Sequence, residues 1–169
     1  MKKYIQNILA LAIAIGMFSC EQERLEPILT TAEGGGTLSE YVAYTLDSTD
    51  PLGSNVNGRV VFYKTAIDQT LVQISLYNTI TDIMHPAVLL EGASGTSMTP
   101  MMTLDNIDGS TGEFSSSKFF VITDAAFYDS LEGDTASLDA NVSIFLSEAD
   151  NTIVASGGVG INAVPVETD

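Results

Sequence analysis

The chain is short of the residues that build disulfides, most metal centres and histidine-based active sites. Its 169 residues include one cysteine, Cys20, one histidine, His85, and no tryptophan. A single cysteine excludes a disulfide within the chain. A structural zinc site takes about four ligands, mostly cysteine and histidine, so these two residues could supply only part of one. Packing alone therefore has to hold the folded domain together.

Basic residues are also scarce. Lysine and arginine number 6 against 22 aspartates and glutamates, which gives a net charge of −16 at pH 7. Such a surface repels the phosphates of nucleic acid and anionic lipid, so we expect neither as a partner by direct contact. The acidic residues are spread along the chain, which favours a solvated surface over a dedicated acidic site.

The longest mostly apolar run lies at the start of the chain and has the pattern of an export signal. Two lysines precede residues 5–18, which are mostly apolar, and the small Ser19 stands before Cys20. The run is short for a transmembrane helix, which needs about 20 apolar residues. The pattern resembles a bacterial lipoprotein signal, which implies removal of residues 1–19 and acylation of Cys20, with palmitate for example. An ordinary secreted protein with an unpaired thiol is the alternative.

Residues 20–36 have the composition of a tether. They combine several acidic residues with three consecutive glycines at 34–36, and few of them could bury apolar surface. Acidic residues directly after Cys20 resemble the signal that sorts some Gram-negative lipoproteins to the outer face of the outer membrane. We therefore expect a cell-envelope location in the outer membrane, on its surface or periplasmic face, with membrane contact through the lipid on Cys20.

Residues 37–164 predict one all-β domain, followed by a C-terminal tail at 165–169. Apolar and other residues alternate along segments 72–77 and 142–147, which is the period of a strand with one buried face. Turn dipeptides punctuate the domain: Asp50-Pro51, Asn57-Gly58, Asp68-Gln69, Asp108-Gly109 and Asp150-Asn151.

Many short strands with little helix predict an antiparallel β-sandwich or a small Greek-key barrel. One short helix is expected in addition. Thr123 or Asp124 can cap it, and Gly133 can end it.

Four segments occur in the order found in the CHRD domain, the module named after chordin, and the chain resembles that family over residues 37–162. The late segment contains Val142-Ser143-Ile144-Phe145-Leu146-Ser147, which is similar to the family pattern V-N-V-H-x-S. One of the other three is the strand pair that begins at Gly58-Arg59-Val60-Val61-Phe62. Another is the segment His85-Pro86-Ala87-Val88-Leu89-Leu90-Glu91-Gly92, which is similar to the family pattern H-P-A-H-I-H-x-G. The last is the turn Asp108 to Gly112, which is similar to D-G-x-x-G. The resemblance implies an all-β interaction domain.

This chain departs from the family at the histidines. Val88 and Leu90 stand where the family has two alternating histidines, and Phe145 stands where it has a third. Two imidazoles on one face of a strand, facing a third, could hold a metal. We expect the three apolar side chains to pack together instead, each stabilising the fold by about 1.5–3 kcal/mol. The resemblance is therefore taken to imply the fold, but no metal, cofactor or catalytic residue.

Segment 105–113 is the best candidate for a cation site. Asp105, Asp108 and Glu113 supply the hard oxygen ligands that calcium prefers. The segment departs from the EF-hand spacing, because Ile107 stands where an oxygen ligand belongs. A hairpin turn, with an aspartate as its cap and a glycine at positive φ, explains the same residues and is the favoured interpretation.

Three further groups are weaker candidates. His85, followed by Pro86, is interpreted as a hydrogen-bonded or solvated residue at a strand start, since a general base needs a nucleophile beside it. Met98, Met101 and Met102 could bind copper(I), although methionine more often serves packing. Exposed tyrosines could stack on a carbohydrate, and the candidates are Tyr41, Tyr44, Tyr63, Tyr77 and Tyr128.

The sequence thus favours a non-catalytic, lipid-anchored protein of the cell envelope whose β-domain serves interaction or structure, with an envelope protein or a glycan as possible partner. The alternative is a surface lipoprotein that binds calcium or a glycan. An exported hydrolase is the third hypothesis, and it would have to rely on His85 for base chemistry.

Overall fold

The computed structural model describes residues 38, 40–50 and 53–167. The predicted signal peptide, Cys20 and the tether lie outside the described residues. About half of the described residues lie in β-strands and none of them in an α-helix, which confirms the predicted all-β class. Among these residues, none forms a helix of the length and apolarity needed to traverse a bilayer.

The strands form two antiparallel sheets. The larger sheet has eight strands in the order β6-β5-β10-β11-β1-β2-β3-β9, and the smaller has three in the order β4-β7-β8. The strands are β1 (Glu40–Ser48), β2 (Asn57–Lys64), β3 (Thr70–Tyr77), β4 (Met84–His85), β5 (Ala87–Glu91), β6 (Pro100–Thr103), β7 (Ile107–Asp108), β8 (Glu113–Phe114), β9 (Phe120–Ile122), β10 (Asp139–Ser147) and β11 (Asp150–Gly160).

The larger sheet curls around a single core. Leu89 on β5 and Ile122 on β9 lie near opposite ends of the strand order, yet both belong to one cluster of buried apolar side chains. Ile107 and Phe114 of the small sheet join the same cluster. In a flat sheet, neighbouring strands lie about 4.8 Å apart, so these ends would be far from each other. The shape agrees with the predicted sandwich or small barrel.

The alternating segments form strands with their predicted inner faces. Val72, Ile74 and Leu76 of β3 are buried in the core, and Tyr77 is exposed. Val142 and Ile144 of β10 point into the same core. Because successive side chains of a strand point to opposite faces, this fixes which residues lie on the outer face of each strand.

Two of the predicted turn dipeptides are strand starts. Asn57-Gly58 opens β2 and Asp150-Asn151 opens β11, while the actual turns lie just before them. A Cβ atom on Gly58 would stand 2.1 Å from the carbonyl oxygen of Ser75 on β3. The glycine at 58 therefore permits close approach of two strands. The turns at Asp68-Gln69 and Asp108-Gly109 are confirmed.

The predicted helix is replaced by two short 3-10 turns, at Tyr128–Ser130 and Gly133–Thr135. Asp124 does act as a cap, because its Oδ1 accepts a hydrogen bond of 3.0 Å from the backbone N–H of Ala126. Nucleating an α-helix fixes several residues for one hydrogen bond, and so short a segment forms the tighter i to i+3 turn instead.

The predicted tail contains a backbone contact with β1. The N–H of Val166 donates to the carbonyl oxygen of Ala43 at 2.8 Å. Strand β1 pairs with β11 only near its end, at Asp47 and Ser48. Val166 therefore satisfies a carbonyl on the part of β1 that β11 leaves unpaired.

Two buried tyrosines should respond differently to loss of the hydroxyl. The Tyr44 hydroxyl donates to the carbonyl oxygen of Leu131 at 2.8 Å, whereas that of Tyr128 is buried without a partner among the described residues. Burial raises the pKa of both phenols. We expect Tyr44→Phe to lower the free energy of unfolding by about 0.5–1.5 kcal/mol. We expect Tyr128→Phe to leave it unchanged or raise it by about 1 kcal/mol. Urea denaturation of both variants measures this, and an equal loss in both would contradict the assignment.

Candidate functional site

His85 is a fully buried structural residue. Its Nδ1 lies 3.2 Å from the carbonyl oxygen of Phe145, and its Nε2 lies 3.4 Å from the backbone N–H of Ile80. Since an N–H can only donate, Nε2 accepts, and the network assigns the proton to Nδ1, which donates to Phe145. Both ring nitrogens are therefore engaged within the fold, in agreement with the interpretation of His85 as a hydrogen-bonded strand residue.

Val88, Leu90 and Phe145 share the outer face of β5 and β10, but they do not form the purely apolar cluster that the sequence predicts. Leu90 and Phe145 are buried, and Val88 is half-buried. In the pairing of β5 with β10, however, Val88 lies opposite Ser143 and Leu90 opposite Asn141. Two polar side chains thus stand on the same face between the apolar ones.

Asn141 and Ser143 are both buried, and their polar groups are hydrogen-bonded within the protein. The Ser143 hydroxyl donates to Asn141 Oδ1 at 2.7 Å, and Asn141 Nδ2 donates to the carbonyl oxygen of Gly92 at 2.9 Å. Alternation along β10 assigns these residues to the solvent side, so the sequence contains no signal for their burial. Their internal hydrogen bonds make this face a packed structural feature.

The segment with Asp105, Asp108 and Glu113 forms the hairpin of β7 and β8. Asp108 Oδ1 accepts a hydrogen bond of 2.8 Å from the backbone N–H of Ser110, and Glu113 lies opposite Asp108 in the strand pairing. Asp105 accepts a hydrogen bond from the Ser116 hydroxyl. Across the described residues, no three histidine, cysteine, aspartate or glutamate side chains stand together in an arrangement able to hold a metal ion.

If Asp108 serves as a turn cap, its charge should be dispensable while its oxygen is needed. We expect Asp108→Asn to keep the free energy of unfolding within about 0.5 kcal/mol, because the amide oxygen can still accept from Ser110. We expect Asp108→Ala to lower it by about 0.5–2 kcal/mol. Thermal denaturation with and without calcium checks both. Calcium-dependent stabilisation that Asp108→Asn abolishes would contradict the turn assignment.

The methionines do not converge on a common point. Met101 and Met102 are consecutive on β6 and so point to opposite faces, with Met102 packed against the core and Met101 exposed. Met98 is exposed in the segment before β6. Thioether ligands of copper(I) have to meet at one metal, and these do not.

The five candidate tyrosines divide between the core and the surface. Tyr44 and Tyr128 are buried in the core, and Tyr77 is exposed at the end of β3. Tyr41 and Tyr63 lie directly opposite each other on β1 and β2, with ring centroids 6.0 Å apart. Only this pair forms a joint surface of the kind a ligand could contact.

Tyr41 and Tyr63 belong to a row of apolar side chains that crosses four strands. The strand pairing places Tyr41 opposite Tyr63, Tyr63 opposite Leu71, and Leu71 opposite Val121. Phe119 packs edge-on against Tyr63 with a centroid distance of 5.8 Å. We call Tyr41, Tyr63, Leu71, Val121 and Phe119 the aromatic face. It lies on the outer side of β1, β2, β3 and β9, because the neighbouring side chains of these strands fill the core.

The aromatic face contains one hydrogen-bonded tyrosine and two side chains that are exposed to solvent. The Tyr63 hydroxyl hydrogen-bonds Gln73 Oε1 at 3.1 Å, and burial raises the pKa of this phenol. The exposed fraction is 41% for Tyr41 and 46% for Val121. Sequence analysis singled out the two tyrosines but missed Phe119 and Val121, since only the strand register shows that these residues are neighbours.

The described part contains three basic residues, Arg59, Lys64 and Lys118, and the first and last of them lie near this surface. Arg59 lies on the same face of β2 as Tyr63, and Lys118 Nζ stands 5.5 Å from the centre of the Phe119 ring. Lys64 is turned away, because its ammonium pairs with Asp129 at 2.7 Å, which also raises the pKa of Lys64.

Comparison with known proteins adds no relative: no family model matches the chain, and no curated protein matches it.

Proposed function

We propose that this protein is a non-catalytic lipoprotein of the cell envelope, anchored in the outer membrane through Cys20, whose CHRD-like β-domain is an interaction or structural module. The support for the anchor is the basic, apolar and Ser19-Cys20 order at the start of the chain. The support for an interaction role is the exposure of Tyr41 and Val121 in the aromatic face, with Tyr63 and Phe119 half-buried between them, since grouped apolar side chains at the surface mark contact sites.

The observation that carries the non-catalytic part is the environment of His85. A general base needs a free ring nitrogen near its substrate, and both nitrogens of this buried histidine are occupied by backbone groups. A hydrolase built on this histidine would have to break those hydrogen bonds first. The proposal therefore ranks the exported hydrolase last.

Acyl labelling of the expressed full chain tests the anchor. Cells grown with an alkyne fatty acid should yield labelled protein in the membrane fraction, and Cys20→Ala should lose both label and membrane association. Ser19→Ala is the matched control, because it keeps a small residue before the cysteine and leaves the thiol in place. An unlabelled wild-type chain, or Cys20→Ala distributed like the wild type, would overturn the anchor.

A glycan-binding lipoprotein is the second candidate, favoured by the exposed Tyr41 ring beside Tyr63. Its test is a glycan array probed with the wild type and with Tyr41→Ala, using Tyr77→Ala as the control for loss of an exposed tyrosine. Binding that falls with Tyr41→Ala alone supports this candidate. Equal signals from all three proteins exclude a glycan site at the aromatic face.

A further inference from the structure

The aromatic face differs in charge from the rest of the protein. The face lies along one row of cross-strand neighbours, and two more rows follow it along β1, β2 and β3. The second row holds Ala43, Val61 and Gln73, and the third holds Thr45, Arg59 and Ser75. Arg59 is the only charged residue in these three rows. Lys118 borders the face at Phe119. Ala43 and Val61 are buried, whereas Arg59 is exposed, so the exposed members of these rows carry no carboxylate in a chain with 22 acidic and 6 basic residues. An anionic partner can therefore approach them.

The composition of the face matches the boundary between lipid headgroups and acyl chains. Tyrosine rings favour that boundary, because one end of the ring is apolar and the other carries a hydroxyl. Val121 and Phe119 can bury apolar surface there, while the guanidinium of Arg59 and the ammonium of Lys118 can pair with lipid phosphates. Lysine and arginine side chains also reach past apolar neighbours to such phosphates.

The connectivity places this face at the anchored end of the domain. The predicted tether, residues 20–36, precedes β1, which begins at Glu40, and Tyr41, the first member of the row, is the next residue. Nineteen residues lie between Cys20 and Glu40, so the chain from one to the other can span at most about 70 Å. Joined to the anchor by a link of this reach, the surface is held at an effective concentration of about a millimolar, at which even a weak contact forms.

We infer that the aromatic face docks onto a phospholipid surface that contains anionic headgroups. The inference rests on the proposed lipid anchor and adds an orientation to it, with the β1–β2–β3–β9 side against the membrane. It also refines the expectation from net charge, because anionic lipid is repelled by the average surface but not by this face.

Depth-dependent quenching tests the orientation, and the absence of native tryptophan makes the probe specific. Lipidated full-length Val121→Trp and Ile161→Trp are placed in vesicles of phosphatidylethanolamine and phosphatidylglycerol with brominated acyl chains. Ile161 is the matched control, since it is an aliphatic residue, 58% exposed, outside the face. We expect the brominated lipid to quench the tryptophan at 121 and not the one at 161.

Charge neutralisation gives a second readout. Arg59→Gln or Lys118→Gln in the Val121→Trp background should lower the ratio of docked to undocked protein about fivefold each. Lys64→Gln is the control for loss of a positive charge, and it should leave quenching unchanged, because Lys64 faces Asp129. Equal effects of all three substitutions would overturn the specific face.

The outcomes separate docking from anchoring. Vesicles that float with the protein while the tryptophan at 121 stays unquenched overturn docking and keep the anchor. Protein that does not float overturns both. If a soluble polysaccharide, and not lipid, changes the emission of the tryptophan at 121, the face is a glycan site and the membrane inference fails.

Discussion

Gly112→Ala should be the most damaging of the single substitutions considered, with an expected loss of about 2–6 kcal/mol in the free energy of unfolding. Gly112 has φ +75°, which a residue with a Cβ adopts at a cost. A Cβ here would also stand 2.2 Å from the carbonyl oxygen of Leu76, a backbone atom that cannot rotate away. The carbonyl oxygen of Gly112 accepts a hydrogen bond of 2.8 Å from the N–H of Leu76, so relieving the clash would break the contact between the hairpin and β3.

Gly95→Ala provides the matched control. Gly95 has φ +78°, but no atom lies within 4 Å of its would-be Cβ. This variant should therefore show the conformational cost alone, about 1–2 kcal/mol. Urea denaturation of the two variants measures the difference, and equal losses would show that the close approach at Gly112 relaxes freely.

His85→Leu should lower the free energy of unfolding by about 2–5 kcal/mol. The substitution keeps an apolar side chain of comparable size, but it leaves the N–H of Ile80 and the carbonyl oxygen of Phe145 without their imidazole partner. The contact to the Phe145 carbonyl is buried and the one from the Ile80 N–H is partly buried, so an unpaired acceptor or donor there loses hydration without a replacement.

Met84→Leu is the control for a side-chain change on β4. Met84 precedes His85 and is 43% exposed, so its replacement should cost less than about 0.5 kcal/mol. Chemical denaturation reports both values. A His85→Leu protein as stable as the Met84→Leu protein would mean that the imidazole hydrogen bonds contribute nothing, and it would reopen a chemical role for His85.

The sequence predicts the strands well where a single face is buried. In β3, Val72, Ile74 and Leu76 point into the core while Gln73 and Ser75 point outward, so a period of two is sufficient for this inner face. The same period of two fails on the outer side of β10, because Asn141 and Ser143 are buried there. Their polar groups are satisfied by hydrogen bonds to each other and to Gly92. Polarity alone does not separate a solvated serine from one that is satisfied inside the protein.

The turns and the aromatic face show two other limits. Asn57-Gly58 has the composition of a turn, yet Gly58 is required by a close approach to β3, which no local pattern reveals. The aromatic face depends on four strands meeting in one register, and its members come from segments that are distant in sequence. The tyrosines in the sequence predicted that Tyr41 and Tyr63 could stack on a carbohydrate. Only the strand pairing shows that Val121 and Phe119 lie beside them.

The hydrogen bond from Val166 to Ala43 has a practical consequence for labelling. It brings Val166 to the strand that carries Tyr41, so a fluorescent protein or affinity tag fused after Val166 would stand next to the aromatic face. Its bulk would act as a spacer there. An insertion near Gly95 would lie in the connection between β5 and β6, neither of which pairs with β1, β2, β3 or β9. The choice of fusion site thus decides whether a reporter observes this surface or screens it.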